Sequence, residues 1–170
     1  MKQHFEMFSA YNRWANDRVY AAVAELSDSE FNRNVGAAFG SAMATLNHVL
    51  AGDRIWQKRF TGQGEAPAKL DAILHRDLHG LRQARIAEDA RIVNWVCRLT
   101  KEDLKGTFTY TAILDNRSIT QRLSPALAHF FNHQTHHRGQ VHTILTMLGQ
   151  PSTPLDLIYF QRTVEGKAFA

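Results

Sequence analysis

The chain has 170 residues, with 20 Lys and Arg against 16 Asp and Glu, nine histidines and a single cysteine. That length suits one compact domain spanning 1–170, because about 70% of the unfolded chain's surface is buried at this size, and 44% hydrophobic against 21% charged residues excludes disordered and collagenous classes. The lone Cys97 excludes an internal disulfide and a thiolate-rich zinc site, so any metal must rest on nitrogen and oxygen ligands.

Apolar Phe5, Phe8, Tyr11 or Trp14, Ala15, Val19, Ala22 and Leu26 recur at three- and four-residue steps, which predicts an amphipathic first helix. Ser27-Asp28-Ser29-Glu30 ends it and offers caps for a short turn beginning near Phe31. A second helix is predicted over about 41–60, with Leu46, Leu50, Ile55, Trp56 and Phe60 for the core and Thr61-Gly62-Gln63-Gly64 as its stop. A third is predicted over about 71–99, densely charged on one side, with Leu74, Leu78, Leu81, Ile86, Ile92, Val93 and Val96 available for burial. The pattern then changes to Thr107-Phe108-Thr109-Tyr110-Thr111-Ala112-Ile113-Leu114, followed by Asp115-Asn116-Arg117, which predicts a short hairpin returning over 119–123. Ser124 as N-cap and Pro125 at the first helical position open a last long helix that runs to Leu148 and stops at Gly149-Gln150-Pro151. The predicted fold class is therefore all-α: a four-helix bundle with a small β-hairpin insertion before the last long helix. Residues 152–170 carry Leu155, Leu157, Ile158, Tyr159 and Phe160, enough to cover the bundle or a second subunit.

Several partners are excluded at this level. Met1-Lys2-Gln3-His4-Phe5-Glu6 places charge where a secretion signal is apolar. The uncharged run over 35–52 is broken by Gly36, Gly40, Ser41, Thr45, Asn47 and His48, too polar to serve as the ~20 apolar residues of a membrane span. A cytoplasmic protein is expected, with no membrane partner. The net charge of +4 is spread along the chain without a block of like charges, so no nucleic-acid partner is expected either.

The chemistry concentrates in the last helix, at Phe131-Asn132-His133-Gln134-Thr135-His136-His137-Arg138-Gly139-Gln140. The stripe Phe130, His133, His137, Val141, Ile144 and Leu148 steps by three and four residues, placing His133 and His137 on the core face, while His136 lies about 100° away. Two imidazoles at i and i+4 project the same way and can share one ion. A third ligand must come from elsewhere, and His48 is the best candidate, because Ser41, Ala44, Thr45, Ala51 and Gly52 leave room beside its ring. His4, His75 and His79 are weaker candidates; His75 and His79 also stand at i and i+4, but among Arg76, Asp77 and Arg82. Taken alone, a core-facing His48 reads more readily as a hydrogen-bonded structural residue than as a ligand. No Glu-x-x-His pair, His-Glu-x-x-His motif, phosphate loop, dinucleotide turn or nucleophile elbow is present, which sets aside di-iron, metalloprotease, nucleotide and serine-hydrolase machinery. Trp14, Trp56 and Trp95 are expected as core anchors and Cys97 as a small buried hydrophobe. Asp53 with Arg54 is expected to form a helix-surface pair, with Asp53 alternatively orienting a ligand, and Arg138 is expected as a surface ion-pair residue.

Three segments carry a resemblance: Tyr11-Asn12-Arg13-Trp14-Ala15-Asn16, Leu46-Asn47-His48-Val49-Leu50-Ala51-Gly52-Asp53-Arg54-Ile55-Trp56, and His133-Gln134-Thr135-His136-His137-Arg138-Gly139-Gln140. In this order, across most of the chain, they resemble the DinB or YfiT-like metalloenzyme family, with His-x-x-x-His-Arg-Gly-Gln as the most specific part. The resemblance implies a DinB-like bundle, a metal-binding triad of His48, His133 and His137, and a homodimer. The family label derives from DNA-damage induction of its namesake, which suggests a stress response and implies no DNA binding. Characterised relatives include transferases and an isomerase that use a low-molecular-weight thiol such as bacillithiol or mycothiol. The implied function is transfer of such a thiol to an electrophilic small molecule with a divalent metal, zinc or nickel ahead of iron. Two alternatives stay open: a metal-dependent hydrolase, and a non-enzymatic, stress-related dimeric bundle with a structural metal.

Overall fold

The computed structural model describes residues 1–112 and 116–169 and is mostly helical. Its elements in chain order are α1 (Lys2–Val23), α2 (Asp28–Asn32), α3 (Ala42–Thr61), α4 (Leu78–Arg98), β1 (Thr107–Thr111), β2 (Ser118–Arg122), α5 (Leu123–Met147) and α6 (Leu157–Gln161). Single-turn 3₁₀ helices cover Asp103–Lys105 and Gly166–Phe169.

Four long helices form the bundle. α1 and α3 each pack against both α4 and α5, so α1 faces α3 across one diagonal and α4 faces α5 across the other. Two apolar clusters fill the ends of the bundle. One gathers Val19, Val23, Leu46, Leu50, Leu81 and Ile144; the other gathers Phe5, Ile92, Val96, Leu127 and Phe130. Chain direction follows from these clusters: α1 and α5 run from the second to the first, α3 and α4 from the first to the second. Adjacent α3 and α4 are therefore parallel, and the connection over 62–77 must travel back along the bundle before α4 can begin.

That return explains the largest departure from the sequence expectation. The third helix starts at Leu78, not near Asp71, because the preceding backbone bonds to α3 instead of to itself. Asn47 Oδ1 accepts from the amides of Leu74 and His75 at 2.7 and 2.9 Å, while Asn47 Nδ2 donates to the His75 carbonyl. Asp77 then caps α4, accepting from the Gly80 amide at 2.7 Å.

Other boundaries shift locally. Ser27 and Glu30 form a capping box, so α2 begins at Asp28 instead of near Phe31. Ser41 caps α3 and Gly62, at φ 70°, closes it. Ser124 does not cap α5, which is already helical at Leu123 after an extended Arg122. The hairpin pairs Thr107 with Arg122 through Thr111 with Ser118, and it lays Phe108 and Tyr110 over Phe60 and Trp56 of α3. The expected strand and turn residues Ile113, Leu114 and Asp115 lie outside the described residues. Cys97 is exposed, not buried, and Ile86 is also exposed. All three tryptophans are half-buried, at the margins of the core. Phe160 of α6 is fully buried against α1, so the C-terminal segment covers the bundle itself. Among the described residues no helix is long and apolar enough to cross a membrane.

Candidate metal centre

His48, His133 and His137 meet where α3 packs on α5. The Nε2 atoms of His48 and His137 are 3.1 Å apart, and those of His137 and His133 are also 3.1 Å apart. Helical periodicity places the α5 pair, since a spacing of four residues returns to the same face. Gly52 makes the space: a Cβ built there would stand 3.1 Å from the His133 ring. On the other side Phe39, in the turn that leads into α3, stacks on His48 at 4.0 Å between ring centres and meets His137 edge-on at 5.5 Å.

Hydrogen bonds on the far ring nitrogens decide what the near ones do. His48 Nδ1 donates to the Leu70 carbonyl at 2.8 Å, and His137 Nδ1 donates to Gln140 Oε1 at 2.8 Å. Each donation places the ring proton on Nδ1 and leaves a lone pair on Nε2, the tautomer a metal requires. Protonation is disfavoured as well. Burial holds His48 and His137 below the ordinary histidine range, and burial together with the neighbouring His137 and His48 pushes His133 down to about 3.

Converging neutral nitrogens repel one another unless a cation lies among them. Two imidazole nitrogens at 2.0–2.1 Å from a common ion and 90–110° apart are themselves about 2.8–3.4 Å apart, a range that contains both separations. The donor set therefore fits a divalent transition metal. A set of three protein nitrogens is also the kind that leaves a coordination position for water or substrate.

No other histidine joins this group among the described residues. His4 is exposed beside Phe5 and Phe8, His129 is exposed beside Trp56, and His136 accepts from Gln140 Nε2. His75 is half-buried and His79 exposed, at the start of α4.

Asp53 and Arg138 depart from expectation. Neither lies on the surface: Asp53 is 0% and Arg138 2% exposed. Asp53 accepts from Arg85 Nη1 at 2.5 Å and from Gln134 Nε2 at 2.8 Å. Arg85 also pairs with Asp89 at 3.0 Å, and Asp89 accepts from Asn12 and Asn16. Arg138 donates to Asn12 and Thr135. These residues form a buried polar layer across all four long helices, and through Gln134 it touches the neighbour of His133. The sequence carries a signal for it, Asn12 and Asn16 one turn apart on an otherwise apolar face. Phe39, the Leu70 carbonyl and the role of Gln140 have no comparable signal, because each depends on a contact between distant segments or on a rotamer.

Comparison with known proteins finds similarity along most of the chain. The model of the DinB family matches residues 1–167. "Protein DinB" of Bacillus subtilis (strain 168) is 24% identical over 162 residues, covering 93% of this chain and 94% of that protein.

Proposed function

The chain belongs to the DinB family, and we propose that it is a divalent-metal-dependent enzyme transferring a low-molecular-weight thiol to an electrophilic small molecule. The observation that carries this reading is the convergence of three Nε2 atoms, two of them left with a lone pair by donation from Nδ1. When bound, a divalent metal supplies an open coordination position and lowers the pKa of a thiol placed there. The chain's own residues hold and shield that position. His48, His133 and His137 provide the nitrogens, the Leu70 carbonyl and Gln140 keep two rings in the required tautomer, and Phe39 excludes water from one side of His48 and His137.

The thiol itself comes from outside the chain. Cys97 is exposed on the last turn of α4, a helix that contributes no histidine to the centre, and among the described residues no partner bonds its thiol. The resemblance to thiol-using relatives also supports a homodimer, which sedimentation of the purified protein checks.

Metal analysis of purified wild type beside His133→Ala/His137→Ala tests the centre. The wild type is expected to retain about one metal per chain and the double variant essentially none; equal content in both would sink the site. Assays with several biological thiols and a panel of electrophiles test the reaction. Metal-dependent consumption of thiol supports transfer, and turnover of esters or amides without any thiol shows a hydrolase instead.

A further inference from the structure

Three turns along α3 from His48 stands a cationic group that the histidine centre leaves unused. The Arg59 guanidinium carbon lies 4.7 Å from the ring centre of Trp56 and 4.5 Å from that of Tyr110 on β1. It is half-buried, and burial lowers its pKa from the ordinary arginine value. Among the described residues it meets no carboxylate and no hydrogen-bond acceptor. Its N–H groups are therefore unspent among the described residues.

A cavity of about 390 Å³ opens beside it, walled in part by Ile55, Lys58, Arg59, Thr109, Tyr110 and Thr111. Lys58 and Arg59 both contribute to its wall, and no acidic side chain lines it among the described residues. Partial burial without a counter-ion among the described residues weakens the hydration of this arginine and favours an anionic ligand. Two ring faces hold its plane in place at the cost of no N–H donor, which is the preorganised fork that binds carboxylate or phosphate in two-pronged fashion.

Arg59 lies on the same face of α3 as His48 and Gly52, and ring contacts bridge the two places. The His129 ring is 5.2 Å from Trp56 and 5.9 Å from His133, so an unbroken run of rings connects His133 to Arg59. Eleven residues at ~1.5 Å rise place Arg59 roughly 16 Å from His48 along the helix axis. A ligand engaging both ends must be extended, with its anionic group far from its reacting atom.

We propose that Arg59, with Lys58, forms an anion subsite that holds a carboxylate or phosphate of the thiol cosubstrate while the sulfur reaches the three-histidine centre. The identity of the ligand rests on the thiol-transfer reading; the existence of the subsite does not. The substrate class is thus an extended, acidic thiol instead of a small neutral one.

The test titrates the metal-loaded protein with inorganic phosphate and with succinate at constant ionic strength, read by calorimetry and by tryptophan fluorescence. Wild type is compared with Arg59→Gln and Arg59→Lys, each first shown to carry the wild-type metal content. Anion binding through the metal is common to all three proteins, so only the difference between them reports on Arg59. At least one anion is expected to saturate wild type and to bind about tenfold more weakly to Arg59→Gln, with a smaller loss in Arg59→Lys. Whichever anion saturates assigns the group as carboxylate or phosphate. Equal affinity in wild type and Arg59→Gln, or no saturable binding of either anion, overturns the proposal. Should Arg59→Gln not fold, equal affinity of wild type and Arg59→Lys for both anions overturns it. Anion binding that depends on Arg59 in a protein without thiol turnover leaves the subsite standing and removes the thiol reading. Thiol turnover with the same KM for an acidic thiol in wild type and Arg59→Gln does the reverse.

Discussion

His133 feels its surroundings more strongly than the other two members of the centre. Burial and the neighbouring imidazoles hold its pKa at about 3, against 6.5 for a free histidine, so the native form is neutral. Between those values the unfolded chain binds the proton and the native chain does not. Stability of the metal-free protein is thus complete above pH 6.5 and declines as pH falls through that window, by less than about 1.4 kcal/mol per pH unit for each histidine, since these rings retain some contact with water. Denaturant midpoints of metal-free protein are expected to be lower at pH 5 than at pH 7, and His133→Ala is expected to reduce the difference. Gly52 gives a second prediction at this scale. Alanine there gains up to about 1 kcal/mol of helix propensity, yet its Cβ would press on the His133 ring at 3.1 Å. Gly52→Ala should therefore displace the His133 ring and retain less metal than wild type, and unchanged metal content would contradict the packing argument.

Among the elements, the returning segment over 62–77 matters most to the centre, because its Leu70 carbonyl sets the tautomer of His48. Asn47 ties the segment down. Fully buried, it spends both amide atoms on the backbone of Leu74 and His75. Removing it leaves two amides and a carbonyl without their partner. Asn47→Ala is expected to destabilise the protein by about 1–3 kcal/mol and to speed hydrogen exchange at the Leu74 and His75 amides. Unaltered protection at those two amides would show that the segment is held by other means.

For the molecule as a whole, the unusual feature is a charged layer between two apolar clusters. Arg85 and Arg138 face Asp53 and Asp89 inside the bundle, so the layer is formally neutral and every long helix contributes to it. Such a layer is weak evidence for stability but sensitive to the loss of one member, since an orphaned buried charge is costly. Asp53→Ala leaves Arg85 with Asp89 alone and releases Gln134 beside His133. Equilibrium unfolding should show a loss of about 3–5 kcal/mol, accompanied by weaker metal retention; a loss below about 1 kcal/mol would mean that Arg85 finds water instead.

What was legible in the sequence was local. Helical phase follows from apolar spacing, so the four long helices, the hairpin and the shared face of His133 and His137 could be read from residues a few positions apart, and Ser41 and Gly62 mark the ends of α3 through their own backbone preferences. Leu74 misled because it continues the helical stripe of Leu78 and Leu81, whereas the peptide groups around Leu74 find their partners on Asn47, 27 positions away. Asp53 and Arg138 looked like surface charges because burial of a charge depends on a partner, and Arg85 and Asn12 reach them only when α4 and α1 pack in place. The sequence by itself thus determined the helices and which histidines face inward. Only the tertiary structure decided that His48 meets the α5 pair, which carbonyl holds its proton, and that Arg59 lies between the rings of Trp56 and Tyr110, because each is a contact between segments whose meeting no local periodicity encodes.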